Sequence, residues 1–426
     1  MFILLEVREL KKNIYYSSFV DEKFKFNTIV VNFIVNLNEE SAAKNAILSS
    51  LMQQSCKEYS NNLKIGEKLR SLYGADLFCD VKKVGSMCVV YFGIVVLDDE
   101  FALNNEELTF EAFKFLKDII FHTKLEIGGF SEKELNVERE NILDLLRSIY
   151  GDKREFAIRE AKKELFKGKS LSVDVYGSVE SIKNVDVSCL KSAYEDLIFK
   201  SKVYIFYGGR KSYDVTVDYF LKDFLNYSNF ERLDVSSEKY FLECEKEKVQ
   251  TDNVVQAKLV LGFAAKENSE AVNAFNDVLI FVMNALFGGT PTSLLFNNVR
   301  EKLSLCYYCR SVYDSFSGVI WVESGVEMKN IEKAKESILN QLDILKRGEF
   351  TEHELQQTIF MLESGLKNVC DSTQKIALYS LNNFLKDINI TPNENIDLIK
   401  KVTKSDIQKV AKKFFLAISY VLKAKE

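Results

Sequence analysis

The sequence has 426 residues, 47% of them hydrophobic and 28% charged, which suits a globular protein with a large core and length for about two to four domains. A formal net charge of −5 gives no sequence-independent hold on nucleic acid, and two histidines leave little for metal or general acid–base chemistry. Eight scattered cysteines argue against a secreted disulfide framework, and no apolar run approaches the roughly 18 residues that cross a bilayer, so a reduced, cytoplasmic chain without membrane contact is expected.

The chain opens with MFILLEVRELKK, whose apolar run is broken by Glu6 and Arg8 and is too short for a signal peptide. Asn27–Leu37 reads as a strand and Ser41–Gln54 as a helix. Arg70–Val96 leads into a strand pair that turns near Gly85-Ser86. An aromatic-rich helix follows and ends at His122, a favourable place for a histidine. Gly128–Leu135 carries a helix start, with Ser131 as N-cap and Glu134 three residues on. Ile182–Val185 precedes an amphipathic helix and the apolar strand Val203–Tyr207. Gly208-Gly209 and a polar stretch to about Lys248 read as a linker, centred on 211–239.

The same order then returns. Val254–Ala265 is a strand and Ser269–Leu286 a helical stretch. Arg300–Val326 leads into a second strand pair, turning at Ser315–Gly318. Gly348–Leu355 repeats the pattern G-x-F-[ST]-E-x-E-L at an offset of 220, with Thr351 and Glu354 as the capping pair. Ile399–Val402 matches Ile182–Val185, and Ala417–Leu422 is the closing strand. Two tandem copies, 1–210 and 240–426, are therefore expected, each an α+β unit with a mostly antiparallel sheet covered by helices.

This organisation resembles the insulinase (M16) metallopeptidase family, and within it the short two-repeat chains that pair into a clamshell. The residues that carry the resemblance are Gly288–Phe296, Val299–Lys302 and Leu305–Tyr307. Active family chains bear H-x-x-E-H on the first helix of the first repeat, where two His one turn apart hold zinc and the Glu is the base. Here Ile47 and Leu51 fall at the His positions and Ser50 at the Glu, and no His, Asp or Glu occurs from 42 to 55. Ala43, Ala46, Ile47, Ser50 and Leu51 form a small, mainly apolar stripe instead. On the downstream helix Glu138 is retained, and Leu145 stands at the remaining ligand position.

Arg300 and Tyr307 survive from the family pattern. The resemblance implies that they act in trans, hydrogen-bonding the scissile carbonyl at the zinc of an H-x-x-E-H partner chain. It implies no cofactor in this chain, zinc in the partner, an unfolded peptide as substrate and a heterodimer, with a homodimer also open. The plainer reading pairs Arg300 with an acidic neighbour and makes Tyr307 a half-buried strand residue. The alternative function is a non-enzymatic scaffold of the same fold, since fold alone does not fix activity.

Three other motifs read as structural. Cys306-x-x-Cys309 lies on a strand, where residues i and i+3 point to opposite faces. Gly288-Gly289-Thr290 lacks the Lys-Ser/Thr of a phosphate loop and reads as a turn with close backbone packing. His353 occupies the variable position of its capping box and faces solvent.

Overall fold

The computed structural model describes residues 6–124, 130–226, 235–266 and 274–425. Met1–Leu5, Gly128, Gly129 and the first residues of the helical stretch expected from Ser269 lie outside them. The chain packs as two units. One contains residues up to 146, 173–237 and 369–389; the other contains 147–172, 238–368 and 390 onward.

The first unit holds a six-stranded sheet of β1 (Arg8–Lys11), β2 (Ile14–Val20), β3 (Phe26–Asn36), β4 (Asp76–Val84), β5 (Met87–Leu97) and β6 (Lys202–Gly209), in the order β1-β2-β6-β3-β5-β4. The second holds β7 (Lys246–Asp252), β8 (Ala257–Ala265), β9 (Cys306–Asp314), β10 (Val319–Val326) and β11 (Phe414–Ala424), in the order β7-β11-β8-β10-β9. With β1 set aside the two orders coincide, as the duplication predicts. Each sheet has one parallel pair, β2 with β6 and β7 with β11, and is otherwise antiparallel. The α+β class read from the sequence holds, and the sheets are mixed.

In the first unit Ile29, Val31 and Phe33 alternate along β3 onto one core with Ala42, Ala43, Ala46 and Ile47 of the helix Glu39–Gln54. The stretch 211–239 is not all linker. Asp214–Asn226 is a helix, and Val217, Phe220, Leu221 and Phe224 enter the same core at helical spacing. Phe220 and Phe224 are completely buried, which contributes about 1.5–3 kcal/mol each relative to exposure. That apolar stripe outweighs the polar residues around it.

Packing units and sequence copies are different partitions of the chain. The helix Lys153–Leu165 and its counterpart Thr373–Leu385 are displaced by the repeat offset, yet each covers the sheet of the other copy. Ala157, Ala161 and Leu165 pack with Val260, Trp321 and Tyr420 of the second sheet. On the first sheet Thr373 Oγ1 meets Thr28 Oγ1 at 2.6 Å, and the Phe384 ring stacks on Tyr204 at 4.5 Å. The buried Tyr204 hydroxyl joins Ser17 and Ser380 in a closed hydroxyl cluster. Polar groups placed this deep must be paired, so the cluster fixes the helix at one position.

Candidate functional site

The first-repeat helix that would carry the metal motif is Glu39–Gln54. Asn38 caps it with a reciprocal capping box to Ser41. Ile47 and Leu51 are buried in the core, so the positions read as ligands carry packing. Glu138 is also buried, on the helix Glu132–Gly151. Its Oε1 accepts from Gln54 Nε2 at 2.5 Å and Asn141 Nδ2 at 3.2 Å, and Asn62 Nδ2 donates to Gln54 Oε1 at 3.1 Å. The retained carboxylate is thus satisfied by amides rather than poised for a cation. Isoleucine and leucine have no lone pair to give a metal, so this donor set does not fit zinc. Among the described residues no group of three or more His, Cys, Asp or Glu could hold a metal ion.

The second unit presents an open cleft of about 390 Å³ lined by Arg300, Glu301, Ser304, Leu305, Cys306, Tyr307 and Glu327. The two residues singled out in the sequence therefore share one cleft. Arg300 sits on the π-helical segment Leu295–Lys302, with its guanidinium 4.8 Å from the centre of the Phe296 ring. Its Nε is 3.7 Å from Glu301 Oε1, and both side chains are solvated, so that ion pair holds it weakly. A turn through Ser304, at φ 49°, connects this segment to β9. Tyr307 follows on β9 and is 64% exposed, not half-buried. Gly288 lies close to this region, and a Cβ there would meet the Ser311 nitrogen at 2.7 Å, the close backbone packing expected of that turn.

Tyr307 is exposed because β9 contains a bulge. Val326 pairs with Cys306, but Gly325 pairs with Tyr308, leaving Tyr307 as the extra residue. One inserted residue reverses the alternation. Cys306 and Cys309, expected on opposite faces, therefore point the same way, and both are buried. Tyr308 turns to the other face and lies under Arg154, 4.5 Å from ring centre to guanidinium. Arg154 also makes a two-pronged contact with Glu323, at 2.7 and 2.8 Å, and Arg310 binds the same carboxylate from the neighbouring strand. Burial alone would raise the Glu323 carboxyl, but the two guanidinium groups outweigh it and hold its pKa below the usual carboxylate value. The sequence signal for the bulge was Gly325, a glycine inside a strand. A Cβ there would lie 2.6 Å from the Tyr308 ring.

Residues 185–362 match the family model described as the Peptidase M16 inactive domain. Over 408 residues the chain is 25% identical to the probable inactive metalloprotease YmfF of Bacillus subtilis, covering 95% of this chain and 94% of that one. It is 25% identical over 318 residues to the uncharacterized zinc protease YmxG of the same organism, covering 71% and 72% of the two chains. A conserved protein of Enterococcus faecalis superposes with a TM-score of 0.88 at 27% identity, over 99% of this chain and 98% of that one. An M16 inactive-domain protein of Pseudomonas fluorescens superposes at 0.80 with 14% identity, over 99% of this chain and 98% of that chain, a likeness of fold alone.

Proposed function

We propose, from the match of residues 185–362 to the Peptidase M16 inactive domain, that the chain is a member of that family and the catalytically incomplete subunit of a two-chain peptidase. Its partner is a zinc-binding paralogue with an intact H-x-x-E-H, and its substrate an unfolded peptide. Arg300 and Tyr307 are the residues it contributes. The observation that supports this reading is their placement: both line one solvent-open cleft.

The chemistry follows from the two side chains. A guanidinium and a phenol are both hydrogen-bond donors, and a carbonyl oxygen that gains negative charge accepts from both. The guanidinium offers planar, charge-assisted donors. Neither group needs to transfer a proton, so the pair stabilises charge and orients the carbonyl. β4 and β9 are edge strands of their sheets, and a sheet edge is where an extended peptide can add as a strand.

The test is peptide cleavage by the chain alone, by the zinc paralogue alone and by both together. Activity is expected only from the mixture. Arg300→Ala or Tyr307→Phe in the mixture lowers kcat by about 10²–10³, the usual value of one such donor. Full activity from the paralogue alone, or a mixture indifferent to both substitutions, overturns the proposal.

A further inference from the structure

The bulge at Tyr307 brings two thiols together at the edge of the Arg300 cleft. Cys306 lines the cleft, and Cys309 lies behind it, 5% exposed. The bulge turns both side chains to one face of β9, and Ser324, whose hydroxyl donates to Tyr308 O at 2.9 Å, pairs with Cys309 on the neighbouring strand. The other thiols with a resolved shift, Cys56, Cys79, Cys88, Cys189 and Cys370, are pushed up by burial. Cys306 goes the opposite way. The hydrogen bond from Cys309, with help from Ser324 and the charge of Arg300, outweighs burial and brings it down to about 7. Cys309 is raised well above the usual value by the same hydrogen bond and by burial. Cys306, at the cleft wall, is thus the thiol favoured as thiolate, with Cys309 buried behind it.

We propose that Cys306 and Cys309 form a reactive dithiol that takes low-molecular-weight disulfides and closes into an intramolecular disulfide beneath Tyr307. The Cys306 thiolate attacks one sulfur of the small disulfide, forming a mixed disulfide and releasing one small thiolate, which takes a proton from water. Cys309 gives its proton to solvent and attacks the Cys306 sulfur, expelling the second small thiolate. The chain loses two electrons and two protons, and the small disulfide is reduced to two thiols. A disulfide holds its sulfurs at about 2.05 Å, well inside hydrogen-bonding contact. Closure therefore draws residues 306 and 309 together around the two residues between them, and a shift of Tyr307, the unpaired residue of the bulge, is expected. This dithiol chemistry is independent of the proposed peptidase role.

The experiment uses the reduced full chain with glutathione disulfide, followed by mass spectrometry of the fragment containing both cysteines. The wild-type fragment is expected to lose two hydrogens and carry no glutathione. Cys309→Ser stops at a stable glutathione adduct on Cys306, and Cys306→Ser forms neither product at Cys309. A stable adduct on wild-type Cys306, or reaction confined to other cysteines, overturns the dithiol. Hydrogen exchange at residues 305–310 is expected to differ between reduced and oxidised chains. A disulfide that leaves exchange there unchanged overturns the coupling to Tyr307. Neither readout requires a partner or peptide cleavage, so both stand whatever the outcome of the complementation assay.

Discussion

Glu138 shows how a carboxylate on this helix can serve packing. Its carboxylate accepts from Asn141 on its own helix and from Gln54, which ties that helix to Glu39–Gln54. Glu138→Leu removes the acceptor of the part-buried Gln54 amide and the exposed Asn141 amide and is expected to cost about 0.5–1.5 kcal/mol in urea unfolding. A neutral result would mean that water replaces the carboxylate there. Arg300 and Tyr307 were legible from the sequence because their surrounding pattern is dense. The shared cleft was not, because it depends on the positive-φ turn at Ser304 and on one extra residue in β9. Strand alternation sent Cys306 and Cys309 to opposite faces; Gly325 was the available cue that alternation fails there.

The elements found from periodicity were the strands, the hairpins and the capped helices. The Thr351–Glu354 capping box is present as read, with Thr351 nitrogen donating to the Glu354 carboxylate at 2.7 Å and Glu354 nitrogen to Thr351 Oγ1 at 3.1 Å. What periodicity could not show is which sheet a helix covers, because an apolar stripe fits either copy. Lys153–Leu165 is held on the second sheet partly through Arg154 and Glu323. The folded Glu323 pKa is depressed, so its contribution is complete above the unfolded value of about 4.3 and is lost as pH falls through the folded value. Glu323→Gln is expected to cost about 2 kcal/mol at pH 7, less than a fully buried pair because Arg154 and Arg310 are 37% and 56% exposed. Denaturant melts at pH 7 and pH 3 should show the gap between wild type and variant narrowing in acid; a constant gap would refute the charge argument. On the first sheet, Tyr204→Phe leaves Ser17 and Ser380 with only their 3.4 Å contact. The expected loss is about 1–2 kcal/mol, with faster hydrogen exchange in Thr373–Leu385 than elsewhere in its unit. Uniform exchange would argue against a local role for the cluster.

At the scale of the molecule, duplication was legible because the two copies repeat one order of elements, and the matching sheet orders agree with it. The compact units were not, since the reciprocal helix exchange depends on tertiary packing. That exchange bears on how the protein is made. On the ribosome, the first sheet lacks its covering helix until residues 373–385 have emerged, long after its own strands are complete. The second sheet waits longer, because β11, the last strand synthesised, lies between β7 and β8. The nascent chain must therefore carry a bare sheet face between the completion of β6 and the emergence of Thr373–Leu385, a period in which chaperone contact has something to protect. A gene cut between the copies would yield two halves, each missing a helix that the other half supplies.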